Sequence, residues 1–109
     1  MTLAALETEA VFVSLSDPSR RRILDLLSIG DASASALARR LPISRQAIVR
    51  HLALLAGCGL VTAHRRGREV VFALSTETLR DSARSLSTLA DMWDARLLSL
   101  KRAAERVDP

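Results

Sequence analysis

Arg45, Gln46, Val49 and Arg50 fall at the head of the segment SRQAIVRHLALLAGCGLV, residues 44–61, and their side chains are of the kinds that read base edges. In the major groove an arginine pairs with guanine, a glutamine amide pairs with adenine, and a valine methyl packs on the methyl of thymine. Such contacts require these residues at the N-terminal end of a helix, where the backbone also attracts phosphate. On an isolated helix Arg45 and Arg50 read more readily as a solvated face, and it is their place behind a short turn and ahead of a basic hairpin that reverses the balance. The segment HRRGRE places His64, Arg65, Arg66 and Arg68 around Gly67, four basic residues in five positions. That is the composition of a β-ribbon tip that reaches the DNA backbone or the minor groove. Arg39 and Arg40 have two readings, as phosphate contacts or as partners of a helix dipole. His51 has three, ranked as packed core histidine, phosphate donor and metal ligand, the last without a second His or Cys at i+3 or i+4.

The elements that would position these side chains follow from capping residues and apolar spacing. A first helix is expected from about Leu3 to Leu15, with Leu6, Ala10 and Val13 on one face. Asp17 is a good N-cap and Pro18 suits the first helical position, which opens a second helix with Ile23, Leu24, Leu26 and Leu27 as its apolar side and Gly30 as its stop. Ser33 caps a short third helix, ASALARRL, in which Leu37 and Leu41 share a face and Pro42 ends the run. Ser44 is the next N-cap, so a turn of about three residues joins two helices, the helix-turn-helix pattern. Ala47, Ile48, Leu52 and Leu55 form the buried stripe of the helix that Ser44 opens, and Cys58 fills its end as a small apolar residue. After Gly57 and Gly59 the period shortens to alternation. This predicts a two-stranded hairpin over residues 61–74 that turns near Gly67, with Val70, Phe72 and Leu74 on one side.

From the segment STET onward, Leu79, Ala83, Leu86, Ala90, Trp93, Leu97, Leu100, Ala104 and Val107 alternate in steps of four and three. A seam of that regularity on a helix of about 30 residues, some 45 Å long, asks for another helix beside it. The two readings are a partner chain and the helix's own domain, and a small domain has little core with which to cover such a length.

Composition narrows the function classes. The chain has 109 residues, 49% hydrophobic and 26% charged, which fits one globular domain and excludes a disordered chain. We divide it into residues 1–16, 17–75 and 76–109. The net charge is +4, and it is unevenly spread: the first segment carries Glu7 and Glu9, the middle one ten arginines against Asp17, Asp25, Asp31 and Glu69, and the last balances six against six. A basic middle segment is what a polyanion-binding face needs, although Lys101 is the only lysine and arginine bias alone would raise the arginine count. Aromatic residues are 3%, too few for a surface that stacks single-stranded bases. One cysteine, Cys58, suits a reducing compartment, residues 1–15 lack the basic head of a secretion signal, and no apolar run reaches the roughly 20 residues that span a bilayer. A cytoplasmic protein is expected. No Gly-rich phosphate loop and no spaced Cys/His set is present, and Asp91 and Asp94 read as surface partners of Arg84 or Arg96, so neither catalysis nor a cofactor nor a metal is expected.

The phrases LSDPSRRRILDLL, ALARRLPISRQAIVRHLALLAGCGLV and RRGREVVFAL, in that order, resemble the ArsR-type winged helix-turn-helix repressors over roughly residues 11–75. The resemblance implies a mainly α fold with a small antiparallel β wing, and a homodimeric regulator that binds double-stranded DNA. In that family the positions of Arg45, Gln46, Val49 and Arg50 face DNA, residues 61–74 form the wing, and the first and last helices build the dimer interface. Metal-sensing members often carry a Cys-x-Cys pair where this chain has Ser33-Ala34-Ser35, others use His on the last helix, which here has none, and redox-sensing members use two cysteines. The resemblance therefore carries DNA binding and dimerisation without metal sensing, and leaves a small-molecule effector unassigned. The rival reading is a protein-interaction module, a helical dimer that binds another regulator and has only incidental affinity for DNA.

Overall fold

Each helix start expected from a capping residue is built as the chemistry of that residue requires. In the computed structural model, which describes residues 3–107 and side chains from Glu7 onward, Asp17 Oδ1 accepts the amide protons of Ser19 and Arg20 at 2.7 and 3.1 Å. Ser33 Oγ accepts from the Ala36 amide and Ser44 Oγ from the Ala47 amide, both at 3.1 Å. Each bond satisfies an amide that has no partner within its own helix. The elements run α1 (Leu3–Leu15), α2 (Pro18–Leu27), β1 (Ala32–Ser33), α3 (Ala34–Arg40), α4 (Arg45–Gly57), β2 (Val61–Arg66), β3 (Glu69–Leu74) and α5 (Glu77–Val107). α2 stops at Leu27, with Ser28 as its C-cap, so Gly30 lies beyond the end it was expected to make.

α2, α3 and α4 enclose the core. Ile23 and Leu27 meet Leu37, Ile48, Leu52 and Leu55, and Leu60 and Val61 close the cluster as the chain leaves α4. Leu41, Pro42 and Ile43 link α3 to the Ser44 cap, and Leu41 is extended, with φ −122° and ψ 144°, as the residue before a proline must be. Gly59 takes a φ of +84°, and a Cβ placed there would lie 2.6 Å from Thr78 Oγ1. Only a glycine fits this bend between α4 and β2 under the start of α5.

The sheet departs from the two-stranded hairpin in two respects. β1 adds a third strand, giving the order β1-β3-β2, antiparallel throughout. A strand of two residues is too short to show alternation, so no periodicity could reveal it. The second departure is in burial. Phe72 and Leu74 pack on the core as expected, but Val70 is 42% exposed while Val71 is only 4% exposed. Val71 sits in the central strand with Ser33 on one side and His64 on the other, whereas Val70 pairs only with Arg65, beyond the end of β1. Gly67, with φ +64°, and Arg68 make the two-residue turn between Arg66 and Glu69.

α1 buries Thr8, Val11 and Ser14, while Ala10 and Val13 on its other side are exposed; the side chain of Leu6 lies outside the described residues. α5 packs its first turns against α1 and then runs on, 31 residues or about 46 Å in all. Every residue of its four-three seam is exposed, Trp93 at 55% and Leu100 at 67%, so the seam is not covered by its own domain. Arg84 pairs on this helix with Asp81 rather than with Asp91.

The amide of Arg20 is the chief influence holding the Asp17 carboxyl below its ordinary range; partial desolvation opposes it, and the Ser19 amide and the charges of Arg20 and His51 add to it. A carboxyl lowered in the folded state contributes stability that is complete above its unfolded pKa of about 3.9 and is lost as pH falls through the lower folded value. Asp17→Asn keeps a capping side chain and removes the charge. The melting temperature of the native protein is expected to exceed that of Asp17→Asn at pH 7, and the gap to close between about pH 4 and pH 2. A gap that stays constant over that range rules out the charge as its source.

Candidate nucleic-acid interface

The face of α4 opposite Ile48, Leu52 and Leu55 carries the nominated base readers. Arg45, Gln46, Val49 and Arg50 are all exposed on its first two turns, Val49 at 43%. An apolar side chain left that exposed beside two arginines and an amide gives a surface that is cationic and hydrogen-bonding yet able to receive a methyl group. Ser44, at the start of the same helix, is exposed while its hydroxyl caps the backbone. Arg39 and Arg40 are exposed on the last turn of α3, where both of their readings, dipole partner and phosphate contact, are physically served.

Arg45 is not left to solvent alone. Its Nε donates to Ser35 Oγ at 3.0 Å, a contact between α3 and α4 that fixes the direction of the guanidinium. Arg45 and Val49 from α4, Ser33 and Ser35 from the β1–α3 segment, and Arg68, Glu69, Val70 and Phe72 from the hairpin line one cleft of about 450 Å³. The fold therefore brings the head of α4 and the turn end of the hairpin to one place, with Arg45 and Arg68 on its walls. Arg65, Arg66 and Arg68 are exposed on the hairpin. His64 is exposed too; direct pairing places it on the same face as Val71, and its Nε2 lies 3.8 Å from Asp31 Oδ2 across the central strand.

Three nominated or counted residues face elsewhere. His51 is half-buried, with its Nδ1 3.4 Å from Arg20 Nη1. That is the packed-histidine arrangement ranked first for it. Arg20 and Arg21, counted in the basic middle segment, turn toward α1 instead: Arg20 donates to the carbonyls of Ser14 and Val13 at 2.9 and 3.1 Å, and Arg21 to that of Leu15 at 2.5 Å. The supporting residues Ser35 and Asp31 were not singled out from sequence, because pairings such as Ser35 with Arg45 and Asp31 with His64 leave no local pattern. Among the described residues no three His, Cys, Asp or Glu side chains gather as a metal would need, and no helix is long and apolar enough to cross a membrane.

A helix-turn-helix domain family matches residues 15–64. The transcriptional repressor SdpR of Bacillus subtilis (strain 168) is 42% identical over 72 residues, which span 66% of this chain and 80% of that protein. The arsenical resistance operon repressor of Staphylococcus xylosus is 36% identical over 73 residues, 67% of this chain and 70% of that one. Among solved structures, an ArsR-like transcriptional regulator from Rhodococcus sp. RHA1 superposes with a TM-score of 0.83 at 44% identity, covering 92% of this chain and 94% of the other. The likeness extends from the helix-turn-helix through the hairpin to the long last helix, and with it the chain belongs to the ArsR family of winged helix-turn-helix proteins and is a DNA-binding transcriptional regulator.

Proposed function

We propose that the protein is a cytoplasmic homodimeric repressor that reads an inverted-repeat operator and acts by binding rather than by catalysis. The observation that carries the reading is the exposed cluster Arg45, Gln46, Val49 and Arg50 on the free face of a helix whose other face is the core. Arg45, Gln46 and Arg50 hydrogen-bond to base edges, and Val49 meets a thymine methyl. Ser44, Arg39, Arg40, Arg65, Arg66 and Arg68 hold phosphates, with Arg68 nearest to α4. His64 lies beside Asp31 on the wing, and His51 lies behind the readers, against Arg20, without touching DNA.

Dimerisation runs through Ala10 and Val13 of α1, with Leu6, and through Leu79, Ala83, Leu86, Ala90, Trp93, Leu97 and Leu100 of α5. Their support is a regular apolar seam exposed along its length, on a helix that outruns its own domain. Two copies related by a two-fold axis present two α4 helices to successive major grooves about 34 Å apart, so the operator is an inverted repeat. Among the described residues no set of His, Cys, Asp and Glu gathers to support metal sensing, and a small-molecule effector stays unassigned.

Measured against operator and random DNA, Arg50→Ala is expected to cost about 1–3 kcal/mol and to relax one operator position, while Arg66→Ala weakens all sequences about equally and lowers the salt slope by about one. Equal losses on both DNAs for Arg50→Ala would sink its base-reading role, and a binding constant insensitive to salt would favour the protein-interaction reading. Ser35→Ala removes the acceptor that aims Arg45; it is expected to weaken discrimination at the base pair that Arg45 reads while leaving binding to random DNA within about twofold. Trp93→Asp, at the exposed middle of the seam, is expected to give monomers in sedimentation and to lose operator binding in the same step. A dimeric Trp93→Asp protein would move the interface elsewhere.

A further inference from the structure

Arg20 is an arginine of the basic segment that is no part of the basic surface, since its side chain is only 12% exposed. A guanidinium has five N–H donors in a fixed plane and accepts nothing. Here they are spread over three parts of the molecule. Nε and Nη2 donate to the carbonyls of Ser14 and Val13, in the last turn of α1. Nη1 faces His51 Nδ1 at 3.4 Å, in the middle of α4, and lies 3.9 Å from Asp17 Oδ2 at the start of α2. Because arginine can only donate, a neutral imidazole would meet it with Nδ1 as the acceptor and its proton on Nε2. The contact thus joins a helix of the proposed dimer interface to the helix that carries the base readers, one residue away from Arg50.

Few other polar contacts span this joint. Ser14 Oγ meets Cys58 Sγ at 3.4 Å, at the far end of α4, and Arg21 holds the Leu15 carbonyl. Cys58 lies seven residues beyond His51, about 10 Å along the helix axis, so the tie made by Arg20 is nearer the reading end than the one made by Ser14. A guanidinium that binds two carbonyls of α1 is fixed in both position and plane, and its third edge then fixes the distance to His51.

We propose that Arg20 and His51 are positioning residues that set the angle of the core against the dimerisation helix, and through it the separation of the two α4 helices that a dimer presents to DNA. This rests on the reading of the protein as a dimer on an inverted repeat. A base pair added between half-sites moves one by about 3.4 Å and turns it by about 35°, so a rigid joint makes affinity depend on spacing. A joint without Arg20 tolerates several spacings.

The test is a set of operators, recovered by selection of bound genomic fragments, with native half-sites and the spacer lengthened or shortened by one base pair. The native protein is expected to lose about tenfold or more in affinity on either change, a loss of the size that one mismatched base pair causes. Arg20→Met and His51→Phe are each expected to reduce that loss to threefold or less while keeping the native preference for the correct half-site bases. A merely structural role would weaken all operators together and leave the ratio unchanged. Should Arg20→Met fold poorly, His51→Phe decides, since it leaves the α1 carbonyl bonds intact. A native protein with no preferred spacing overturns the inverted-repeat reading and this proposal with it; a native preference that both variants retain overturns this proposal alone.

Discussion

The last turn of α1 ends in carbonyls that its own helix cannot satisfy, and the arrangement of the molecule is organised around who satisfies them. A buried helix end without partners costs free energy comparable to lost hydrogen bonds. Here Val13, Ser14 and Leu15 are served by Arg20 and Arg21 from the first turn of α2. Two cations placed at a helix C-terminus also suit the direction of its dipole. The consequence is that α1 and α2 are clamped across a sharp junction, with Asp17 capping one helix while it faces the guanidinium that caps the other. Because Arg20 also reaches His51, the clamp extends to α4, and the orientation of the proposed reading helix is tied to a helix otherwise outside its own motif.

The apolar core does the complementary task. Ile23, Leu37, Ile48, Leu52 and Leu55 make α2, α3 and α4 one body, and the burial of side chains of this size, about 1.5–3 kcal/mol each, is what a domain of this length has to spend against chain entropy. None of those residues can face DNA, so the surface of α4 divides cleanly. One face is required by the core and the other is free to be cationic, and Ser35 then sets where Arg45 points, toward the cleft that it shares with the turn end of the hairpin.

Local chemistry made most of this fold legible in the sequence. Asp17, Ser33 and Ser44 are short-range signals, each acting within three residues, and each began a helix where it was expected. The buried stripe of α4 and the long seam of α5 were likewise visible as periods. What escaped was non-local or too short to have a period: the two-residue strand β1, the burial of Val71 that follows from its central place in the sheet, and the pairings Ser35–Arg45, Asp31–His64 and Arg20–His51, which span 10, 33 and 31 positions. Charge counting had a related blind spot. It registers an arginine but not its direction, and two of the ten in residues 17–75 reach back to the carbonyls at the end of α1, Arg20 with most of its side chain covered.

Ser33 and Ser35 show how one fold separates reading DNA from sensing a signal. The resemblance to metal-sensing ArsR members places a Cys-x-Cys pair at these positions, and the serines could be taken simply as a lost site. In this molecule both hydroxyls are engaged: Ser33 caps α3, and Ser35 accepts from Arg45. A thiol is a weak hydrogen-bond acceptor, whereas serine is among the better helix caps. The exchange therefore gives a firmer start to α3 and a fixed direction to an arginine on the reading face. Positions that in a metal sensor hold a ligand are here engaged in hydrogen bonds within the helix-turn-helix.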